Sequence, residues 1–226
     1  MRAFTLAITL AALGWVVPPA TAGVIRGVLV TSPQRTSKRT ARDSAVTARP
    51  ALQRGAADAV VYLERVPDKV EKKLTHQGLL SGLFRKKSRP PRVVQTKLHF
   101  VPRVLAAVVG TAVEFENLDR VYHNTFSVSA AKRFDLGKYP PGTLDTVVFE
   151  RVGVANLHCD IHPDESGFVV VVPNHAFTRP DSLGRFALPK LPRGQYTLHV
   201  WHPRLGEISR AVEMPKHGDA ILELRF

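Results

Sequence analysis

One cysteine stands in this 226-residue chain, Cys159, and it opens the run Cys159-Asp160-Ile161-His162. A thiolate and an imidazole separated by two residues can be turned onto one centre by the loop between them, and a second imidazole, His123, lies on an earlier β-prone run. Two imidazoles and a thiolate from adjacent strand ends make the trigonal His2Cys set that favours copper electron-transfer sites. Taken singly, each residue also has an ordinary reading, His123 as a strand-end histidine and Cys159 as a small buried hydrophobe. One cysteine forms no internal disulfide, so in an oxidising compartment this thiol must be buried, linked to another molecule or coordinated. On a regular strand His158 points to the face opposite Cys159. His99, His175, His199 and His202 lack partners at ligand spacing and read as surface or packing residues.

The compartment follows from the N-terminus. Met1-Arg2, an apolar stretch from Phe4 to Val17 and Ala20-Thr21-Ala22 before Gly23 have the form of a secretory signal peptide over residues 1–22. No later segment reaches the roughly 20 apolar residues that span a bilayer, so a periplasmic or secreted protein without a transmembrane segment is expected. A hydrophobic fraction of 44% supports a globular product, and the formal charge of +13 points to acidic partners. Export argues against nucleic acid as that partner. Much of the charge lies in two clusters, Arg35 to Arg42 and Arg85 to Arg92, whose Ser, Thr and Pro content and lack of apolar periodicity read as solvated loops.

Those ligands need a scaffold, and the spacing of apolar runs describes one. Val24 to Val30 and Ala59 to Glu64 are β-prone, and Asp68 to Phe84 fits either a short helix or irregular cover. From Val93 onward seven closely spaced strands are expected: Thr96 to Val101, Val104 to Val109, Ala112 to Glu116, His123 to Val128, Asp145 to Phe149, Val154 to Cys159 and Gly167 to Val172. Turn residues such as Asn117-Leu118-Asp119 and Pro140-Pro141-Gly142 separate them. Further strands follow at Arg185 to Leu188, Gln195 to Trp201, Glu207 to Glu213 and Ala220 to Phe226. The fold class is therefore all-β, an antiparallel sandwich or barrel.

Phe100-Val101-Pro102, Gly110 to Asp119, His123-Asn124-Thr125-Phe126-Ser127 and Cys159-Asp160-Ile161-His162-Pro163, in that order, resemble the cupredoxins, in particular the plastocyanin and amicyanin group and methylamine-utilisation-like proteins. The resemblance implies a Greek-key β-sandwich over residues 93–173, with His123, Cys159 and His162 as equatorial copper ligands. It gives Asn124 the task of holding the cysteine strand and tuning the thiolate. The chain departs from the pattern at one place: where amicyanin-like loops carry an axial methionine, this sequence has Glu165. A carboxylate is a harder donor than a thioether and stabilises Cu(II) if it reaches the metal. It has a second outcome, pointing to solvent, and a His2Cys-carboxylate set also accepts zinc.

Ile25 to Val30 and Ala59 to Leu63, together with Gly184-Arg185-Phe186 and Leu191 to Tyr196, resemble the carboxypeptidase regulatory-like, transthyretin-like sandwich. That implies a second, smaller β-sandwich from residues 23–92 and 174–226, with the copper-binding region inserted into it. Trp201-His202-Pro203 reads as core packing ahead of a contact surface. No nucleophile elbow, phosphate loop or zinc-protease helix occurs, so the expectation is no enzyme but a one-electron carrier with an acidic redox partner. The alternatives are a non-redox metal-binding module, for copper storage or delivery or structural zinc, and an envelope interaction module.

Overall fold

Every second residue of Ile25–Val30 (β1) is buried at Ile25, Gly27 and Leu29, the period of a strand with one face against a core. Gly27 has a packing reason: a Cβ there would sit 2.6 Å from the Phe186 ring and 2.7 Å from the Leu222 carbonyl oxygen. The computed structural model describes residues 22–30, 56–84 and 89–226. The stretch expected as a signal peptide, up to residue 21, the basic cluster Arg35 to Arg42 and the first part of the cluster Arg85 to Arg92 lie outside the described residues.

The protein is all-β, with one α-helix among the described residues. After β1 come Val60–Leu63 (β2) and the helix Asp68–Phe84 (α1), then Arg92–Thr96 (β3), His99–Val101 (β4), Val104–Val108 (β5) and Thr111–Asn117 (β6). Phe126–Val128 (β7), Arg133–Asp135 (β8), Leu144–Phe149 (β9), Gly153–His158 (β10) and Ser166–Val172 (β11) follow. The chain ends with Phe177–Thr178 (β12), Arg185–Ala187 (β13), Gly194–His202 (β14), Gly206–Met214 (β15) and Ala220–Arg225 (β16). The helix resolves the ambiguous stretch after Asp68; it lays Val70 and Leu74 on the core beside β2. No helix of the described residues is long and apolar enough to cross a membrane.

Two pairs of sheets result. The order β13-β1-β16 faces β12-β2-β14-β15, and between them lies a core of Ile25, Leu29, Leu63, Leu198, Val200, Met214 and neighbours. The order β5-β11-β10-β7-β8 faces β4-β3-β6-β9 across a second core that includes Phe115, Phe149, Leu157, Val169 and Val171. Phe115, Phe134 and Phe149 tilt against one another with centroids 5.6 to 6.5 Å apart. Such ring pairs each contribute about 0.5–1.5 kcal/mol beyond their buried area.

β11 is buried on both faces. Val169 and Val171 enter the second core, while Val170 and Val172 meet Val60 and the half-buried Trp201 of the other sheet pair. Trp201 thus packs, its ring centroid 5.3 Å from that of Phe168.

Two expected strands differ. The run Thr96 to Val101 is interrupted by a tight turn at Lys97 and Leu98, whose φ values of 52° and 59° fold β4 back onto β3. The run beginning at His123 enters the sheet only at Phe126, because His123 is engaged by Tyr139 in an isolated bridge instead.

Candidate metal centre

The bridge that removes His123 from the strand also fixes it. Its N–H donates to the Tyr139 carbonyl at 3.2 Å and its carbonyl accepts from the Tyr139 N–H at 2.8 Å. The ring is fully buried, with Nε2 at 3.1 Å from Asp119 Oδ2, so Nε2–H donating to the carboxylate leaves Nδ1 free to act as a donor atom. Asp119 also accepts the Lys97 N–H at 2.6 Å and the Leu98 N–H at 2.9 Å. One carboxylate therefore holds both the left-handed turn between β3 and β4 and the His123 ring. Burial pushes this carboxyl up, but the Leu98 and Lys97 N–H groups and the His123 ring outweigh it and hold the carboxyl below its ordinary value.

Cys159 follows directly on β10 and is buried. Its Sγ accepts the Asn124 N–H at 3.5 Å, which ties the loop after His123 to the end of the cysteine strand. Asp160 and Ile161 carry the chain around so that His162 Nδ1 lies 3.7 Å from Sγ; His123 Nδ1 is 4.0 Å from the same sulfur. The two Nδ1 atoms are 3.2 Å apart. His158, by contrast, turns to the other face and packs on Phe126, centroids 5.6 Å apart.

Glu165 does not point to solvent. The Glu165 N–H donates to the His162 carbonyl at 3.0 Å, and this turn drives the side chain inward to 1% exposure. Oε2 accepts from Gln95 Nε2 at 2.7 Å. Oε1 lies 3.1 Å from His123 Nδ1 and 3.6 Å from His162 Nδ1, yet it is a buried oxygen without a hydrogen-bond partner.

His123, Cys159, His162 and Glu165 thus offer one donor atom each, all within 4.8 Å of one another. Metal bonds of about 2.0–2.3 Å to nitrogen, oxygen and sulfur place neighbouring donors roughly 3.3–3.8 Å apart in trigonal or tetrahedral sites. The separations here fit one ion, and the orphaned Glu165 oxygen is the kind of atom that an ion would satisfy.

Around this centre lies a polar shell with little signal in the sequence. Gln95, on β3 and 2% exposed, faces Glu165 and the Asn124 carbonyl with its amide nitrogen, the latter at 3.3 Å. Its Oε1 accepts from Thr125 Oγ1 at 3.1 Å and from the Tyr139 hydroxyl. Burial pushes the Tyr139 phenol up to about 12, so it remains a hydrogen-bond donor at neutral pH. In the sequence Asp119 stands out only as a turn residue; its position four before His123 is the available clue to its second task. His175 pairs with Glu71 at 2.5 Å and His199 with Glu207 at 2.9 Å, both away from the four donors.

No family model matches this chain, and no curated protein does. Among solved structures, a purple cupredoxin from Nitrosopumilus maritimus is similar at 28% identity over 36% of this chain and 98% of that one, with a TM-score of 0.33. A copper-containing nitrite reductase from Thermus scotoductus SA-01 is similar at 28% identity over 39% of this chain, TM-score 0.35, and the chain spans about a quarter of its length, 24%. A methionine-to-alanine mutant of amicyanin in its Cu(I) form is similar at 24% identity over 36% of this chain and 81% of that one, TM-score 0.34. These overlaps span little more than a third of the chain, so its chemistry is taken from the donor set itself.

Proposed function

We propose that His123, Cys159 and His162 hold one copper ion, with Glu165 as the fourth, axial donor, and that the protein is an exported, cupredoxin-like one-electron carrier. The observation that carries this reading is the convergence of one thiol, two imidazole nitrogens and an unpartnered carboxylate oxygen in a buried pocket. Copper bound there would supply a one-electron couple. The residues supply constancy of shape: Cys159 is anchored by β10 and the Asn124 N–H, and His123 by Tyr139 and Asp119. Held donors keep their positions when the charge of the site changes, which keeps reorganisation small. His162 is the donor nearest solvent, its side chain 24% exposed against none for His123, and offers the edge through which an electron would pass.

The further parts of the proposal are that residues 93–173 form the copper-binding domain, inserted in a regulatory-like sandwich of residues 23–92 and 174–226, and that the redox partner is acidic. The separate cores support the first, and the charge of +13 supports the second. A second reading, structural zinc, is favoured by the inward turn of Glu165, which completes a four-donor set.

Titration of the processed protein with Cu(II), with Cys159 kept reduced, tests the proposal. A thiolate-to-copper absorption that bleaches reversibly on reduction, and that is lost in Cys159→Ala, is the expected result. Zinc retained without any such absorption would move the assignment to the structural reading.

A further inference from the structure

Gln95 is the buried polar residue whose role the ligand set alone does not explain. Its amide cannot be turned over: the Asn124 carbonyl accepts and cannot donate, so the nitrogen must face it, and the oxygen then meets the hydroxyls of Thr125 and Tyr139. The same nitrogen donates to Glu165 Oε2 at 2.7 Å. One carboxylate oxygen is thereby committed to β3, and the other, Oε1, is left bare toward the two imidazoles.

We propose that Gln95 is a positioning residue that makes Glu165 a one-oxygen donor and so sets the preference of the site for the oxidised ion. The inference rests on the metal reading above. Without the amide, Oε2 is a buried, unpaired acceptor, and the side chain escapes that condition by rotating away from the other donors. That rotation removes a hard anionic donor, which Cu(II) needs more than Cu(I) does. Thr125 and Tyr139 act one step further out by locking the amide.

The test is the pair of Cu(II) and Cu(I) affinities of Gln95→Met, a near-isosteric change that keeps the volume and deletes the amide. Cu(II) binding is expected to weaken about 10- to 100-fold, as for losses around a metal ligand in general, with Cu(I) binding nearly unchanged and the midpoint potential raised. In a Glu165→Met background the same substitution should add nothing. Equal weakening of both oxidation states, an unmoved potential, or a shift that adds in full to that of Glu165→Met would overturn the proposal. If Gln95→Met does not fold, Gln95→Leu, which is smaller and likewise has no donor for Oε2, is read in the same way and an unmoved potential overturns it equally. A wild-type protein without thiolate-to-copper absorption sinks the metal reading itself. A wild-type absorption beside an unmoved Gln95 variant sinks the positioning role alone.

Discussion

The Nδ1 atoms of His123 and His162 face each other at 3.2 Å, with the Cys159 sulfur within 4.0 Å of both. Three donors held so close are at their best when an ion stands between them, and any ligand that binds the folded chain alone stabilises it. Free Cu(II) at about 100 times its dissociation constant should add about 2.7 kcal/mol. Thermal unfolding with and without a chelator checks this. The melting temperature should fall on chelation in wild type and stay put in His123→Ala.

Glu165→Met should raise the reduction potential, since a thioether replaces a carboxylate that favours Cu(II). A loss of about 10- to 100-fold in the preference for Cu(II) corresponds to about 60–120 mV for one electron. Voltammetry of the two proteins decides it, and the visible spectrum should move toward that of an ordinary blue site. An unchanged potential would mean that Oε1 does not donate, despite its position.

The strand spacing from Val93 to Val172 and the Cys159–His162 loop were legible because alternation and short-range spacing are local properties. So was β14, where Tyr196, Leu198 and Val200 alternate inward. What escaped was set by contacts distant in sequence. The β3–β4 turn uses Lys97 and Leu98 in a left-handed conformation that neither residue type announces, and Asp119 stabilises it from outside the turn. Gln95 meets Glu165 across seventy residues, so nothing near either residue marks the pair. The inward turn of Glu165 was one of two readings of the sequence, and the choice was made by that same distant partner.

Acid should weaken the sandwich that contains β1 at one identifiable point. Asp219 accepts the Val24 N–H at 2.9 Å and Arg26 Nε at 2.8 Å, and these bonds, with the charge of Lys190, hold its carboxyl below the ordinary range. A group whose folded value is depressed contributes fully above its unfolded value of about 3.9 and loses the contribution as pH falls through the folded value. The pair with Arg26 is exposed, so the effect is small at high salt. Urea unfolding of wild type and Asp219→Asn should show a gap at pH 7 that closes as the pH falls below the ordinary carboxylate range. A gap independent of pH would assign the stabilisation to something other than the carboxylate charge.

The two sheet pairs should behave as mechanically joined through β11. Val170 and Val172 project into the same cluster as Val60, Phe168 packs on Trp201, and the Arg103 guanidinium lies over the Phe168 ring at 5.5 Å while reaching Asp58 at 3.6 Å. Phe168 belongs to the sheet pair that carries His123, Cys159, His162 and Glu165, and Trp201 to the other. A double-mutant cycle of Phe168→Ala and Trp201→Ala therefore measures coupling across the junction, with about 0.5–1.5 kcal/mol expected for an aromatic pair in fixed contact. Copper absorption in both single variants should be retained, because neither ring touches the four donors. Additive losses within about 0.3–0.5 kcal/mol would show that the sheet pairs are only tethered. Measured coupling would instead mean that the second sandwich braces the strand leading directly out of the Glu165 turn, so that changes far from the site reach it through β11.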